Sequence, residues 1–407
     1  MTVSTESRID PLPLDTVRTM IMTAAIVGAR ALTDSERPVS ERLETLMECH
    51  GKIQAARGPG CALDFATFRS MLRGDLGLLL PEGVPAGDLE GFRLITEDGF
   101  FEEDAFDLEQ EQRMVLAAVG KLSQLGGRVT PERLQGELDQ TTVFQFLRKQ
   151  GRQEGYVGGR RALIETPAGS DTEIRKLPLP AAVTDYYREI PIGQRFEGWW
   201  YPCPECRWPM RITRHSTRAA AFGKAACLYR PHVEAGASYT FQIPPEGQAP
   251  ELLPRPQGPQ PTARETALRP PLAGIIPEPV PVSRHRALTR GVWRWTTVPG
   301  TLELALYDRL KERGIPAVLW PDLDTRDLDA TDEFKADVKD FTFARTLAEK
   351  IKADAGDRGG AQWLVVPDHR EAQLPLLGRA CEPFGMQAVT ATQFAEAVCA
   401  AAGVAWL

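Results

Sequence analysis

PDLDTRDLDATDEFKADVKDF, residues 321–341, is the stretch whose reading decides this chain. Its second half, FKADVKD (334–340), reads as a strand, although Asp and Lys are poor strand formers. A sheet face that carries Asp337 and Lys339 is therefore either in water or satisfied by a cation. Thr331, Asp332 and Glu333 supply a turn, so residues 326–330 and 334–341 read as a hairpin. With the turn centred on Asp332, Asp327 lies as far before it as Asp337 lies after it, and the two carboxylates face each other. Asp337 and Lys339, two apart, share a side. Like charges opposed in this way destabilise a sheet unless a cation bridges them.

The flanks extend this hairpin into a domain. In TLELALYDRLKERG (301–314), Leu302, Leu306 and Leu310 lie on one helical face, Gly314 stops the helix, and Glu303 is expected in its first turn. AVLW after Pro316 reads as a buried strand. A helix over 343–353, the strand WLVVP and a last helix follow, so the order is helix, three strands, helix, strand, helix. Pro321-Asp322 offers a rival to Asp327 as the strand aspartate, and the hairpin registration favours Asp327. His369, in VPDHR, is a lone histidine after a strand, a position that ordinarily carries no function. Cys381 and Cys399 read as helix and core residues.

Two carboxylates with their oxygens close together suit a hard ion, Mg2+ or Mn2+, which accepts one or two carboxylates plus substrate phosphate. Phosphodiester hydrolysis needs that arrangement. The metal polarises the phosphate and lowers the pKa of a bound water, while Lys339 orients or helps deprotonate the water and offsets transition-state charge. Glu303, from the preceding helix, is expected to complete the metal shell. The competing reading is a solvated hairpin with an Asp329–Lys335 cross-strand pair.

A second cluster lies upstream. WWYPCPECRWPM (199–210) places Cys203 and Cys206 in a CxxC flanked by prolines, and CLYRPH (227–232) adds Cys227 and His232. Three cysteines and a histidine would close a structural zinc site, with His215 as a rival for the fourth place. Arg207, Arg211, Arg214, Arg218, Lys224 and Arg230 surround these positions against the single acid Glu205. Trp199, Trp200, Tyr201, Trp208 and Tyr229 are interleaved. Arg207, Arg211, Arg214 and Trp208 are the expected contacts to nucleic acid. Equally open is that the aromatics pack the small core of a zinc knuckle and the arginines are solvated.

The whole chain has 407 residues, too many for one ordinary core, and a net charge of -7 that argues neither for nor against nucleic acid. Seven cysteines are too dilute for a disulfide scaffold. No run of about eighteen apolar residues is present and the first residues lack a secretory pattern, so the chain reads as cytoplasmic with no membrane partner. The resulting fold class is multidomain α+β. Residues 1–190 are expected to be mostly helical, with apolar stripes over 15–32, 40–56 and 108–125 and a winged helix near 110–170 that ends in RALIETP as a strand. Residues 195–242 form the zinc-ribbon-like module, 243–284 a stiff proline-rich linker that marks a domain boundary, and 285–407 the C-terminal α/β unit.

Asp327 followed by Asp337-Val338-Lys339, between a Glu-bearing helix and a second helix, resembles the PD-(D/E)xK restriction-endonuclease-like superfamily over roughly residues 292–402. The layout of helical region, zinc knuckle, proline-rich stretch and LWPDLDTRDL…DVKDF more narrowly resembles the endonuclease subunit encoded beside prokaryotic PIWI proteins of the RE type and a helicase. The resemblance implies a restriction-endonuclease-like fold acting on DNA, with a PIWI-like protein and a helicase as partners in defence against phage or plasmid DNA. Two other classes fit the same residues: a non-catalytic nucleic-acid-binding adaptor, and a DNA-binding regulator that uses the winged helix and zinc module.

Overall fold

Apolar residues at three-and-four spacing build the first helices: α1, Leu14–Thr33, buries Ile21, Ala25 and Ala29, and α2, Val39–Arg57, buries Leu46, Cys49 and Ile53. Helix α3, Phe65–Met71, starts at Asp64, whose carboxylate accepts from the Thr67 amide at 2.8 Å. These elements belong to a unit spanning Met1–Glu109, and Gln110–Leu407 forms a second. The computed structural model describes residues 14–406 apart from 35–36, 59, 61, 97–98, 100, 103, 109, 112–130, 217–220, 256–267, 269–271, 273 and 332. Most of the helix expected over 108–125 lies outside those residues, as does Arg218.

The second unit begins with α4, Pro131–Arg148, and α5, Gln153–Glu165. RALIETP is not a strand. Arg161–Glu165 continue α5, because Tyr156, Arg160, Leu163 and Ile164 keep a helical buried face until Thr166-Pro167 ends it. The wing is therefore missing from the expected winged helix. Short strands β1, Ala168–Ser170, and β2, Tyr187–Glu189, follow. The Cys-rich segment folds as a four-stranded antiparallel sheet of β3, Arg211–Ser216, β4, Ala221–Ala226, β5, Ser238–Gln242, and β6, Leu253–Pro254.

Where it is described, the proline-rich stretch does not separate two bodies. Leu252, Leu268 and Leu272 are buried in the same core as the cysteines and α6 below, and Val280–Pro281 pairs with Trp199–Trp200. The Tyr201 hydroxyl donates to the Pro250 carbonyl, and that of Tyr239 to the Ile275 carbonyl at 2.7 Å. Proline removes backbone donors but keeps its carbonyl, so the segment still accepts from its neighbours while scattered leucines anchor it. Strand β7, His285–Leu288, then inserts between β1 and β2, antiparallel to both. Chain on either side of the stretch thus shares one small sheet.

Helix α6, Val298–Glu312, is entered through a π-helical turn, Trp293–Thr297, and Glu303 falls in its second turn rather than its first because the helix begins before Thr301. The order after it is β8, Ala317–Leu319, β9, Leu328–Ala330, β10, Phe334–Val338, α7, Ala344–Ala353, β11, Trp363–Val366, α8, Leu374–Cys381, β12, Gln387–Thr390, and α9, Ala391–Ala401. The five strands lie in that sequence across one sheet. The first three are antiparallel and the last three parallel, which puts β10 in the centre. Strand β8 is an edge with Val318 exposed, not the buried strand expected of AVLW. The α8–β12 pair adds to the expected order. Thr390 and Gln393 close a capping box that starts α9. Among the described residues no helix is long and apolar enough to cross a membrane.

α5 meets α6 where Gly300 faces Ile164, and a Cβ on Gly300 would lie 2.4 Å from Ile164 Cδ1. Gly300→Ala should lower stability by about 1–3 kcal/mol through overpacking, read as a reduced urea midpoint. Ile164→Val in the same chain should recover part of that loss.

Candidate active site and metal centre

The hairpin pairs Leu328 with Ala336, Asp329 with Lys335 and Ala330 with Phe334. One step further places Asp327 opposite Asp337, and the Asp327 amide donates to the Ala336 carbonyl at 3.2 Å. The register read from the turn is the register of the fold. The face is not wet, however: Asp327 and Asp337 are each only 6% exposed. A cation therefore has to satisfy them, and Lys339 does. Its ammonium donates to Asp337 Oδ1 at 2.6 Å, to Asp327 Oδ2 at 3.0 Å and to the Val338 carbonyl at 3.1 Å. Asp327 Oδ2 also accepts from the Val338 amide at 2.8 Å. Asp329, although it faces Lys335, is bonded by Arg326 at 2.5 Å, so the solvated hairpin with an Asp329–Lys335 pair does not describe this edge.

Two further members of the site were not expected. Arg160, on the buried face of α5, reaches between the strands and α6. One of its terminal nitrogens donates to both Glu303 oxygens, at 2.9 and 2.8 Å, and lies 3.3 Å from Asp327 Oδ1. Its other terminal nitrogen bonds Asp324. Tyr156 donates to the second Asp324 oxygen at 2.7 Å. In the PDLD turn the Asp322 side chain is 76% exposed and lies 3.7 Å from Arg326, whereas Asp324 points inward. Glu303, Asp324, Asp327 and Asp337 line one cleft of about 220 Å³.

Backbone strain aims that turn. Trp320, Asp322, Leu323 and Asp324 all have positive φ, between 47° and 75°. The left-handed conformation costs roughly 1–2 kcal/mol per non-glycine residue. Side chains from α4 and α5 hold it. Gln153 donates to the Trp320 carbonyl at 2.7 Å and accepts from the Leu323 amide at 2.9 Å, and Arg148 donates to the Leu323 carbonyl at 2.9 Å. The Trp320 indole donates to Glu303 at 2.5 Å.

Burial pushes every acid in the cleft towards neutrality, and the cations decide which stay charged. At Asp327, burial is overcome by Lys339 and then Arg160, and the carboxyl titrates below its ordinary value. At Asp337 burial wins over Lys339 and the pKa is raised. Burial likewise lifts Glu303 to about 8 against the pull of Arg160. Lys339 itself is held more basic than usual by Asp327 and Asp337, against its own burial.

Past the end of β10, Asp340 anchors a second network. Its carboxylate accepts from the Tyr229 hydroxyl and from Arg370 at 3.3 Å, and Arg294 lies 3.8 Å away. Those charges hold it well below the usual carboxylate range despite its burial. His369, for which sequence gave no role, joins the network with Nε2 3.0 Å from the Tyr229 hydroxyl.

Tyr229 belongs to the cysteine cluster. Cys203, Cys206, Cys227 and His232 are buried, and their ligand atoms all lie within 4.8 Å of one another. Cys206 Sγ is 3.8 Å from Cys227 Sγ, and His232 Nδ1 is 3.6 and 3.4 Å from the sulfurs of Cys203 and Cys227. A tetrahedral zinc with bonds of about 2.3 Å to sulfur and 2.0–2.1 Å to nitrogen requires edges of about 3.8 and 3.5 Å. The donor set fits that ion. His232 Nε2 lies 3.5 Å from Glu205, which gives the ring an outer carboxylate partner. The side chain of His215, the rival ligand, lies outside the described residues.

Trp200, Tyr201, Trp208 and Tyr229 around the cluster are core, which corrects the expectation for Trp208. It is buried, stacks on Trp293 with centroids 4.2 Å apart and donates to the Leu288 carbonyl at 2.9 Å, so its ring is not available to a base. Arg207 is exposed and donates to the Glu165 carbonyl at 3.0 Å, and Arg214 is exposed over the Phe196 ring at 4.3 Å. Arg211 and Arg214 are three apart on β3 and face opposite sides of the sheet.

Residues 300–406 match a family model described as a REase associating with pPIWI_RE. The match supports, over that segment, the RE-type pPIWI-associated endonuclease family, whose name describes a restriction-endonuclease-like domain. It covers Glu303, Asp327, Asp337 and Lys339 and leaves out Arg160 and the cysteine cluster. No curated protein and no solved structure matches the chain.

Arg160→Met should destabilise the second unit by about 3–5 kcal/mol, because it strands buried carboxylates without their counter-charge; urea unfolding measures this. Glu303 adds a pH dependence. Its folded pKa, about 8, lies above its ordinary 4.5, so the stability it contributes is present below about 4.5 and is lost as pH rises through about 8. The difference in unfolding free energy between wild type and Glu303→Gln, followed from pH 5 to 9, should fall in that direction.

Proposed function

We propose that this chain is a metal-dependent endonuclease subunit that hydrolyses phosphodiester bonds in DNA and works with a pPIWI-RE protein. The observation that carries the proposal is the convergence of Asp327 Oδ2, Asp337 Oδ1 and the Val338 carbonyl on one cation position, held by Lys339, whose side chain is partly exposed. Asp327 and Asp337 would hold Mg2+ or Mn2+. Bound there, the ion supplies Lewis-acid polarisation of the phosphate and a more acidic water.

The chain's own residues do the rest. Asp327 is kept ionised by Lys339, Arg160 and the Val338 amide, so it offers a charged oxygen at neutral pH. Lys339 would be freed from Asp327 and Asp337 by an ion that they hold. So freed, it would lose the two carboxylates that raise its pKa, and it would orient the water or help deprotonate it and balance charge on the phosphate. Glu303 fixes Arg160. Zinc on Cys203, Cys206, Cys227 and His232 would staple the surrounding sheet without an open position for chemistry. The sequence likeness extends the setting to a helicase partner and to defence against phage or plasmid DNA.

Plasmid and single-stranded DNA incubated with the full chain, alone and with its pPIWI-RE partner, in Mg2+, Mn2+ or EDTA, test the proposal. Metal-dependent cutting should fall by roughly a hundredfold or more in Asp337→Asn and Lys339→Ala, with DNA binding nearly unchanged. Intact binding with no cutting in any combination would make the chain the adaptor instead, a reading favoured by Lys339 and Arg160 already occupying cation positions in the cleft. Elemental analysis should find one zinc per chain. Cys206→Ser should lose it and melt at a lower temperature.

A further inference from the structure

We infer that the cleft takes a single divalent ion and that Arg160 is its permanent second cation. The inference rests on the nuclease reading above and adds the metal count and the residue that sets it.

The oxygens of the cleft divide into two sets. Asp327 Oδ2, Asp337 Oδ1 and the Val338 carbonyl surround the Lys339 ammonium. Both oxygens of Glu303, Asp327 Oδ1 and Asp324 surround the guanidinium of Arg160. Asp327 gives one oxygen to each set. A carboxylate shared in this way is what bridges two ions about 3.5–4 Å apart in a two-metal nuclease. Here the second position is filled by the protein.

The two cations differ in how they are held. Lys339 sits on a flexible stem and its side chain is 24% exposed, so it can leave. The Arg160 side chain is 4% exposed, and its guanidinium lies 4.6 Å from the Trp320 ring centroid and 5.0 Å from that of Phe144. Arginine does not lose its proton in proteins, so neither pH nor solvent frees this position. A divalent ion that enters it would have to displace a cation bonded to three carboxylates and packed between two rings.

An independent observation points to an incoming ligand at the other position. Asp337 Oδ2 is buried in the cleft with no hydrogen-bond partner, and Arg358 lies 3.7 Å from it. A buried carboxylate oxygen left unpaired is costly unless something binds it. An ion held by Asp337 in place of Lys339 would bring a doubly charged cation to that carboxylate.

The test is titration of the full chain, its cysteine cluster loaded with zinc, with Mn2+ alone, counting bound ions by electron paramagnetic resonance. Manganese favours carboxylate oxygen over thiolate, so the cysteine cluster keeps its zinc. Wild type should bind one Mn2+ with the spectrum of an isolated ion. Arg160→Gln should bind two, and the pair should show spin coupling through the shared Asp327. Arg160→Lys, which restores a cation, should return to one. Two ions in wild type, or two in Arg160→Lys, overturn the inference. So does a single ion in a folded Arg160→Gln. Should Arg160→Gln fail to fold, the counts for wild type and Arg160→Lys decide. No bound manganese in wild type overturns the nuclease reading itself, and this inference with it, an outcome distinct from a count of two.

Discussion

Four carboxylates, Glu303, Asp324, Asp327 and Asp337, are buried in one cleft, and the second unit is organised around satisfying them. A buried charge without a partner is among the most destabilising features a core can contain, so cations must be brought to these oxygens from wherever the chain can supply them. Lys339 comes from the same strand. Arg160 comes from α5, far earlier in sequence, and this fixes the place of the helical region. α4 and α5 are therefore a wall of the site. The division into helical region, zinc module, linker and nuclease gives way to one unit from Gln110 onwards.

The same logic explains the left-handed run at Trp320–Asp324. A relaxed turn would leave Asp324 and the Trp320 indole directed elsewhere; the strained one delivers both to the Arg160–Glu303 pair. Gln153 contributes both ends of its amide to the backbone of this turn, and Arg148 adds a third bond. Strain of this kind persists only where surrounding contacts over-determine it, and it concentrates at functional sites. That α4 and α5 provide those contacts, while the family match begins at Gly300, means the matched segment depends on residues outside it.

What the sequence made legible follows from which interactions are local. The β9–β10 hairpin could be registered because strand periodicity is two and the turn residues were recognisable, and that alone placed Asp327 against Asp337. The cysteine cluster could be assembled because ligand spacing is itself a short-range pattern. Arg160 left no trace: an arginine on an amphipathic helix looks the same whether it is solvated or inserted into a cleft, and only the tertiary fold decides. Asp324 was hidden by Asp322 for a related reason, since the left-handed turn reverses which acid points inward. The proline-rich stretch misled because composition counts prolines and glutamines, whereas Leu252, Leu268 and Leu272 do the anchoring. Trp208 misled because a tryptophan among arginines suits a base-stacking surface as well as a small core, and its stacking on Trp293 settles it for the core.

The cysteine cluster and the cleft are joined by a short path of contacts. The Tyr229 ring packs edge-on against His232 at 4.7 Å, and its hydroxyl bonds Asp340, the residue after Lys339. Asp340 is locked from its other sides by Arg370 and Arg294. On the proposed reading, in which Lys339 moves while Asp337, two residues earlier, stays, the strand end needs a fixed pivot. Asp340 provides that pivot, and its strongly favoured ionised form keeps the surrounding bonds charge-assisted across the physiological range. The cluster thus bears on the cleft mechanically, by holding Tyr229 where it fixes Asp340, and the buried aromatics around it are the material of that brace.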